Sequence, residues 1–166
     1  MTTSELQRAP RRLAGVRAAL ALALAVGGCS GGSETTTGRA FPVFPGAAID
    51  QAATEAANAL AANAGQANKV SHIYMASAPY EAVVAFYREK GVEAAVPPIP
   101  DASRWLPDGT EIRRTVFILD GAPDLQGSSL WVNVQRPYVG NVRSEGDRPV
   151  FEDVRDVTTI AVVERR

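Results

Sequence analysis

The chain is 166 residues long, with 17 basic and 18 acidic side chains, a formal net charge of −1, one cysteine and one histidine. A near-neutral charge with no dense basic run gives nucleic-acid binding almost no electrostatic support. A single cysteine excludes an intrachain disulfide and a multi-thiolate metal site, so the fold has to rest on its apolar core, for which this length is ample.

Arg8, Arg11, Arg12 and Arg17 precede an apolar run from Ala18 to Val26, which ends in Gly27-Gly28-Cys29. A basic region, a short apolar region and small residues before a cut compose an export signal. The run is nine residues long and alanine-rich, whereas a spanning helix needs roughly twenty apolar residues. Val26-Gly27-Gly28-Cys29 resembles the lipobox of bacterial lipoproteins, an apolar residue and two small residues before the cysteine. The resemblance implies that residues 1–28 are removed and that Cys29 carries a thioether-linked diacylglycerol, which attaches the chain to a lipid bilayer. It implies a place in the cell envelope. Ser30, where an aspartate would retain a lipoprotein at the inner membrane, favours the outer membrane facing the periplasm. In a cell with one membrane the same anchor leaves the domain on the outer face. Arg11-Arg12 also has some likeness to a twin-arginine pair, so the export route stays open. Without the +3 of residues 1–28 the remaining chain carries about −4.

Residues 29–40 form an acylated cysteine and a small, polar stretch, expected as a flexible tether. The folded domain is expected over 41–166. It opens with Phe41-Pro42-Val43-Phe44-Pro45-Gly46, an extended segment ending in a turn. Asp50–Asn63 is alanine-rich with Leu60 its one large apolar residue, which predicts a peripheral helix capped by Gly65. Val70–Met75 reads as a strand. Over 78–90, Tyr80, Val83, Val84 and Tyr87 stand at i, i+3, i+4 and i+7, predicting an amphipathic helix with Glu81, Arg88 and Glu89 toward solvent. A short strand near Val92–Val96 leads into Pro97-Pro98-Ile99-Pro100. Three strand-like runs follow, Thr110–Leu119, Ser129–Gln135 and Val157–Val163, with a long polar stretch, Gly140–Asp153, before the last.

Phe44-Pro45-Gly46-Ala47 and Ser77–Arg88 (SAPYEAVVAFYR) are similar to elements of small, uncharacterised bacterial exported domains. The chain departs from that pattern in Phe44 for a tyrosine, in Ala78 between Ser77 and Pro79, and in a longer alanine-rich insert. The resemblance supports the fold and implies no chemistry. The expected class is α+β, an antiparallel β-meander with helix 78–90 and the peripheral alanine-rich helix packed on one face.

No enzymatic motif stands out. His72 shares a strand face with Val70 and Tyr74, where a lone histidine is ordinarily structural. Asp101, Asp108 and Glu111 surround Trp105, and Asp120 and Asp124 flank a turn; beside glycine and proline these read as turn formers. Gln126-Gly127-Ser128-Ser129 lacks the second glycine of a nucleophile elbow. There is no phosphate loop and no dinucleotide fingerprint, so no catalytic residue, metal or cofactor is expected. The one assigned site is lipidation at Cys29. Phe41, Phe44, Trp105, Trp131 and Tyr138 would suit a partner surface if exposed, but in a small domain they serve more readily to cover a sheet. The expected function is that of a membrane-anchored lipoprotein, a non-enzymatic envelope accessory acting through protein contacts. The rival is a small-ligand binder or hydrolase with a site between helix 78–90 and the sheet.

Overall fold

The computed structural model describes residues 33–36, 39–146 and 148–166, so the export signal and Cys29 lie outside the described residues. The described residues belong to one compact unit, Gly31–Arg166. No helix among them is long and apolar enough to cross a membrane.

Two short strands, β1 (Ser33–Thr36) and β2 (Arg39–Pro42), pair antiparallel with Ser33 opposite Pro42. Ser33–Thr36, Arg39 and Ala40 fall within the stretch read from sequence as a tether. The pairing is main-chain hydrogen bonding, which small polar residues support as well as apolar ones. β2 also delivers Phe41 to the core, where it is almost wholly buried.

After β3 (Ala48–Ile49), helix α1 (Gln51–Asn63) starts at Asp50, whose carboxylate accepts from the Ala53 N–H at 2.9 Å. It ends as the sequence predicts. Gly65 takes φ +71, its N–H donates to Ala62 O, and the Gln66 N–H donates to Ala61 O, the paired bonds of a glycine-terminated helix.

Strand β4 (Lys69–Ala76) is followed by α2 (Tyr80–Arg88), with Pro79 at the N-cap. Next come β5 (Val92–Glu93) and α3 (Asp101–Arg104), a turn of helix that the proline run concealed. The chain then forms β6 (Arg113–Ile118), β7 (Leu130–Arg136), β8 (Tyr138–Glu145), β9 (Arg148–Arg155) and β10 (Thr158–Arg165).

The fold is α+β, and its main sheet is antiparallel, six strands in the order β3-β4-β10-β7-β6-β5. It is not a simple meander, because the last strand inserts between β4 and β7 and so becomes central. Its apolar residues explain the position: Ile160 and Val162, both fully buried, lie opposite Tyr74 and His72 on one side and Val134 and Val132 on the other.

Successive strand residues point to opposite faces, and the two faces are covered by different helices, not by two helices on one face. Tyr80, Val83, Val84 and Tyr87 of α2 pack with Tyr74, Val132, Val134, Ile160 and Val162. As expected, Glu81, Arg88 and Glu89 are exposed. The alternate residues Ile73, Met75 and Ala161 lie against Ala53 and Ala57 of α1.

Helix α1 buries little, yet it completes the edge of β4. β3 pairs only with Tyr74 and Met75. Beyond it, Asn58 accepts from the Ser71 N–H at 2.7 Å and donates to Ser71 O at 2.9 Å, while Thr54 accepts from the Ile73 N–H and the Asp50 N–H donates to Ile73 O. Asn58 thus presents a side-chain amide where a further strand would present a peptide, which protects an otherwise open sheet edge.

The polar stretch Gly140–Asp153 is not a loop. β8 and β9 form a two-stranded ribbon in continuous register from Tyr138–Arg155 to Glu145–Arg148. Polar contacts cross it, Glu152 accepting from Asn141 at 3.0 Å and from Arg143 at 2.8 Å, beside the apolar pairs Val139–Val154 and Val142–Phe151. Such pairs stabilise a ribbon without any apolar alternation in the sequence. Arg155 ties its base to the helix by binding Asp50 at 2.7 Å and lying 4.1 Å over the Tyr138 ring. Together with the Ala53 N–H, Arg155 holds the Asp50 carboxyl below the usual range.

A candidate binding cleft beside the second helix

Helix α2, strand β6 and the segment 98–112 enclose an open cleft of about 540 Å³. Its floor is built from helix spacing and strand alternation: Val84 and Tyr80 from α2, with Ile112 just before β6, are all buried. Arg113 and Thr115, on the face of β6 toward α2, meet the start of the helix. The Tyr80 hydroxyl lies 2.6 Å from that of Thr115, and the Arg113 guanidinium stacks 4.2 Å over the Tyr80 ring while pairing with Glu81. Burial raises the Tyr80 hydroxyl above its ordinary pKa, so it stays protonated at neutral pH. The hydrogen bond from Arg113 lowers Glu81, which stays ionised.

The far wall comes from the segment around Trp105. The Leu106 N–H donates to Thr110 O, the Ile112 N–H to Arg104 O, and Gly109 takes φ +84. Asp108 accepts from the Thr110 N–H at 2.9 Å. The Asp108-Gly109 turn signal therefore reads correctly, and the turn places Arg104 beside Glu111, with Nε 2.8 Å from its carboxylate. Arg114 donates to Pro97 O at 3.0 Å, and Arg88 pairs with Glu93 at 3.2 Å.

Four arginines, Arg88, Arg104, Arg113 and Arg114, thus line the cleft with two glutamates, Glu81 and Glu111. Sequence reasoning placed Glu111 only among turn residues and overlooked the arginines, which fall on three separate elements and form no motif. The legible hints were helix 78–90, whose polar edge forms a wall, and the Asp108-Gly109 turn.

His72, Asp120 and Asp124, also singled out from sequence, are not among the residues lining the cleft. His72 shares its face with Tyr74, stacks on Phe41 at 5.9 Å, and has a buried Nε2 without a hydrogen-bond partner among the described residues. Asp120 accepts from Ser128 and Ser129, and Asp124 from the Gly127 N–H at 2.7 Å, both as turn-fixing contacts. Ser128 and Ser129 gather on Asp120, and no group of three His, Cys, Asp or Glu placed to hold a metal occurs among the described residues. Of the aromatics, Phe41 and Tyr138 are buried, Phe44 and Trp131 are partly covered, and Trp105 is about half exposed beside Arg104. No protein-family model matches the chain, and no curated protein or solved structure is significantly similar to it.

Proposed function

We propose that this chain is a lipid-anchored envelope protein whose folded domain works by binding, through the cleft between α2 and β6. The carrying observation is the contrast in charge: the cleft gathers four arginines against Glu81 and Glu111 in its lining and Glu93 paired to Arg88, a positive excess on residues 33–166, which as a whole carry about −4. Local positive potential on an acidic domain attracts and orients an anionic partner. The apolar floor supplies the area that holds it. The anchor at Cys29 and the export signal upstream support an envelope location, at the outer membrane facing the periplasm or, in a one-membrane cell, on the outer face. A photo-crosslinking residue at Ile99 in the cleft, compared in intact envelopes with one at Glu55 on α1, tests this. A discrete product from Ile99 alone is expected. No product, or the same products from both positions, would remove the cleft from consideration.

A further inference from the structure

We infer that the occupant of this cleft is an acidic, partly apolar peptide segment of an envelope partner, whose carboxylates exchange with Glu81 and Glu93 on Arg113 and Arg88. The inference rests on the cleft being the binding site. The cleft's own contacts already outline such a ligand. Arg113, Arg104 and Arg88 each hold a carboxylate, from Glu81, Glu111 and Glu93. Arg114 holds a main-chain carbonyl, that of Pro97, and makes no ion pair among the described residues. Carboxylates spaced along a peptide backbone offer both kinds of acceptor, and Ile112, Val84 and Ile99 offer an apolar side chain its contact.

The two exchangeable carboxylates are the exposed ones. Glu81 is 66% exposed and Glu93 51%, against 34% for Glu111. An exposed pair contributes little, so a ligand carboxylate displaces it at small cost, and Arg113 keeps its stacking on Tyr80 throughout. A membrane surface fits less well. The arginines line a concavity, and the remainder of the domain is acidic, which anionic headgroups repel.

The experiment is fluorescence anisotropy at low ionic strength, with the purified full-length protein and a dye-labelled five-residue peptide of four glutamates around one leucine. Binding that weakens as salt is added, and that vanishes when the glutamates are replaced by glutamines, is expected. Glu81→Gln removes an internal competitor and should tighten binding about two- to fivefold, the scale of one exposed ion pair. Arg113→Gln should loosen it by at least as much. Glu55→Gln makes the same charge change on α1 and should leave affinity unchanged. The inference is overturned if the peptide does not bind, if Glu55→Gln tightens binding as much as Glu81→Gln, or if phosphatidylglycerol vesicles bind through Arg113 and Arg114 while the peptide does not. A crosslinked partner from Ile99 together with a failed peptide would sink this inference alone and leave the binding cleft standing.

Discussion

Asp120 Oδ1 accepts from the Ser128 hydroxyl at 2.9 Å and the Ala122 N–H at 3.3 Å. Its Oδ2 accepts from the Ser129 N–H at 2.6 Å, the Ser129 hydroxyl at 2.8 Å and the Leu130 N–H at 3.2 Å. Burial alone would raise this carboxyl, but the donors of Ser129, Ser128 and Ala122 together outweigh it and hold the carboxyl well below the usual range. Asp120→Asn must turn an NH2 group toward donors in either amide orientation. It should cost about 2–3 kcal/mol, the range for hydrogen bonds to a charged group plus an unmet donor. Because the folded pKa is lowered, this stabilisation is complete above the unfolded value near 4 and is lost as the pH falls through the folded one. Chemical denaturation at pH 7 and again near pH 3 should therefore show the gap between wild type and variant shrinking on acidification. A gap independent of pH would mean that the charge is not what matters. Gly91 is constrained by space instead: a Cβ there would stand 2.3 Å from Ile118 O, where β5 begins to pair with β6. Gly91→Ala should lower stability by about 1–3 kcal/mol through forced backbone displacement. An unchanged denaturation midpoint would show that this junction yields freely.

At the scale of elements, legibility followed burial. Helix α2 was readable because four buried side chains recur at helical spacing, and β7 and β10 because buried residues alternate along them. The β8–β9 ribbon was not, because its apolar residues Val139, Val142, Val150, Phe151 and Val154 do not alternate along either strand and Val142 and Val154 are exposed. A ribbon whose apolar residues do not alternate leaves no hydrophobic period to find. The place of β10 in the sheet is a long-range fact that no local pattern carries, and the side taken by α1 depends on which edge of β4 lies open. The cleft was half legible: its helix wall and Asp108-Gly109 turn were read, its arginines were not, since they meet only after α2, α3 and β6 assemble. Helix α1 provides the sharpest test at this scale. If Asn58 stands in for a missing strand, Asn58→Ala removes two hydrogen bonds to Ser71 while slightly improving helix propensity. The balance should be a loss of about 1–2 kcal/mol, with faster amide exchange at Ser71. If Asn58 is incidental, alanine will stabilise the helix and leave Ser71 protected.

Over the whole molecule, the proposed anchoring makes attachment and folding separable tasks. The core is complete within the described residues, from Phe41 in β2 to Ile160 and Val162 in β10, while the proposed acylation is at Cys29, upstream of β1. No helix among the described residues can cross a membrane, and two acyl chains suffice for stable attachment. Cys29 is the chain's single cysteine, so no second thiol could accept the lipid in its place. Cys29→Ala should therefore move the protein from the membrane to the soluble fraction, abolish lipid labelling and block removal of residues 1–28. The thermal midpoint of the domain should stay that of the wild type, because nothing in the core is touched. Fractionation, metabolic labelling with a fatty acid and a melting curve read these effects separately. A variant still labelled and membrane-bound would refute lipidation at Cys29. One that is unlabelled but still membrane-bound would assign attachment to the folded domain itself, with the cationic cleft the first surface to neutralise.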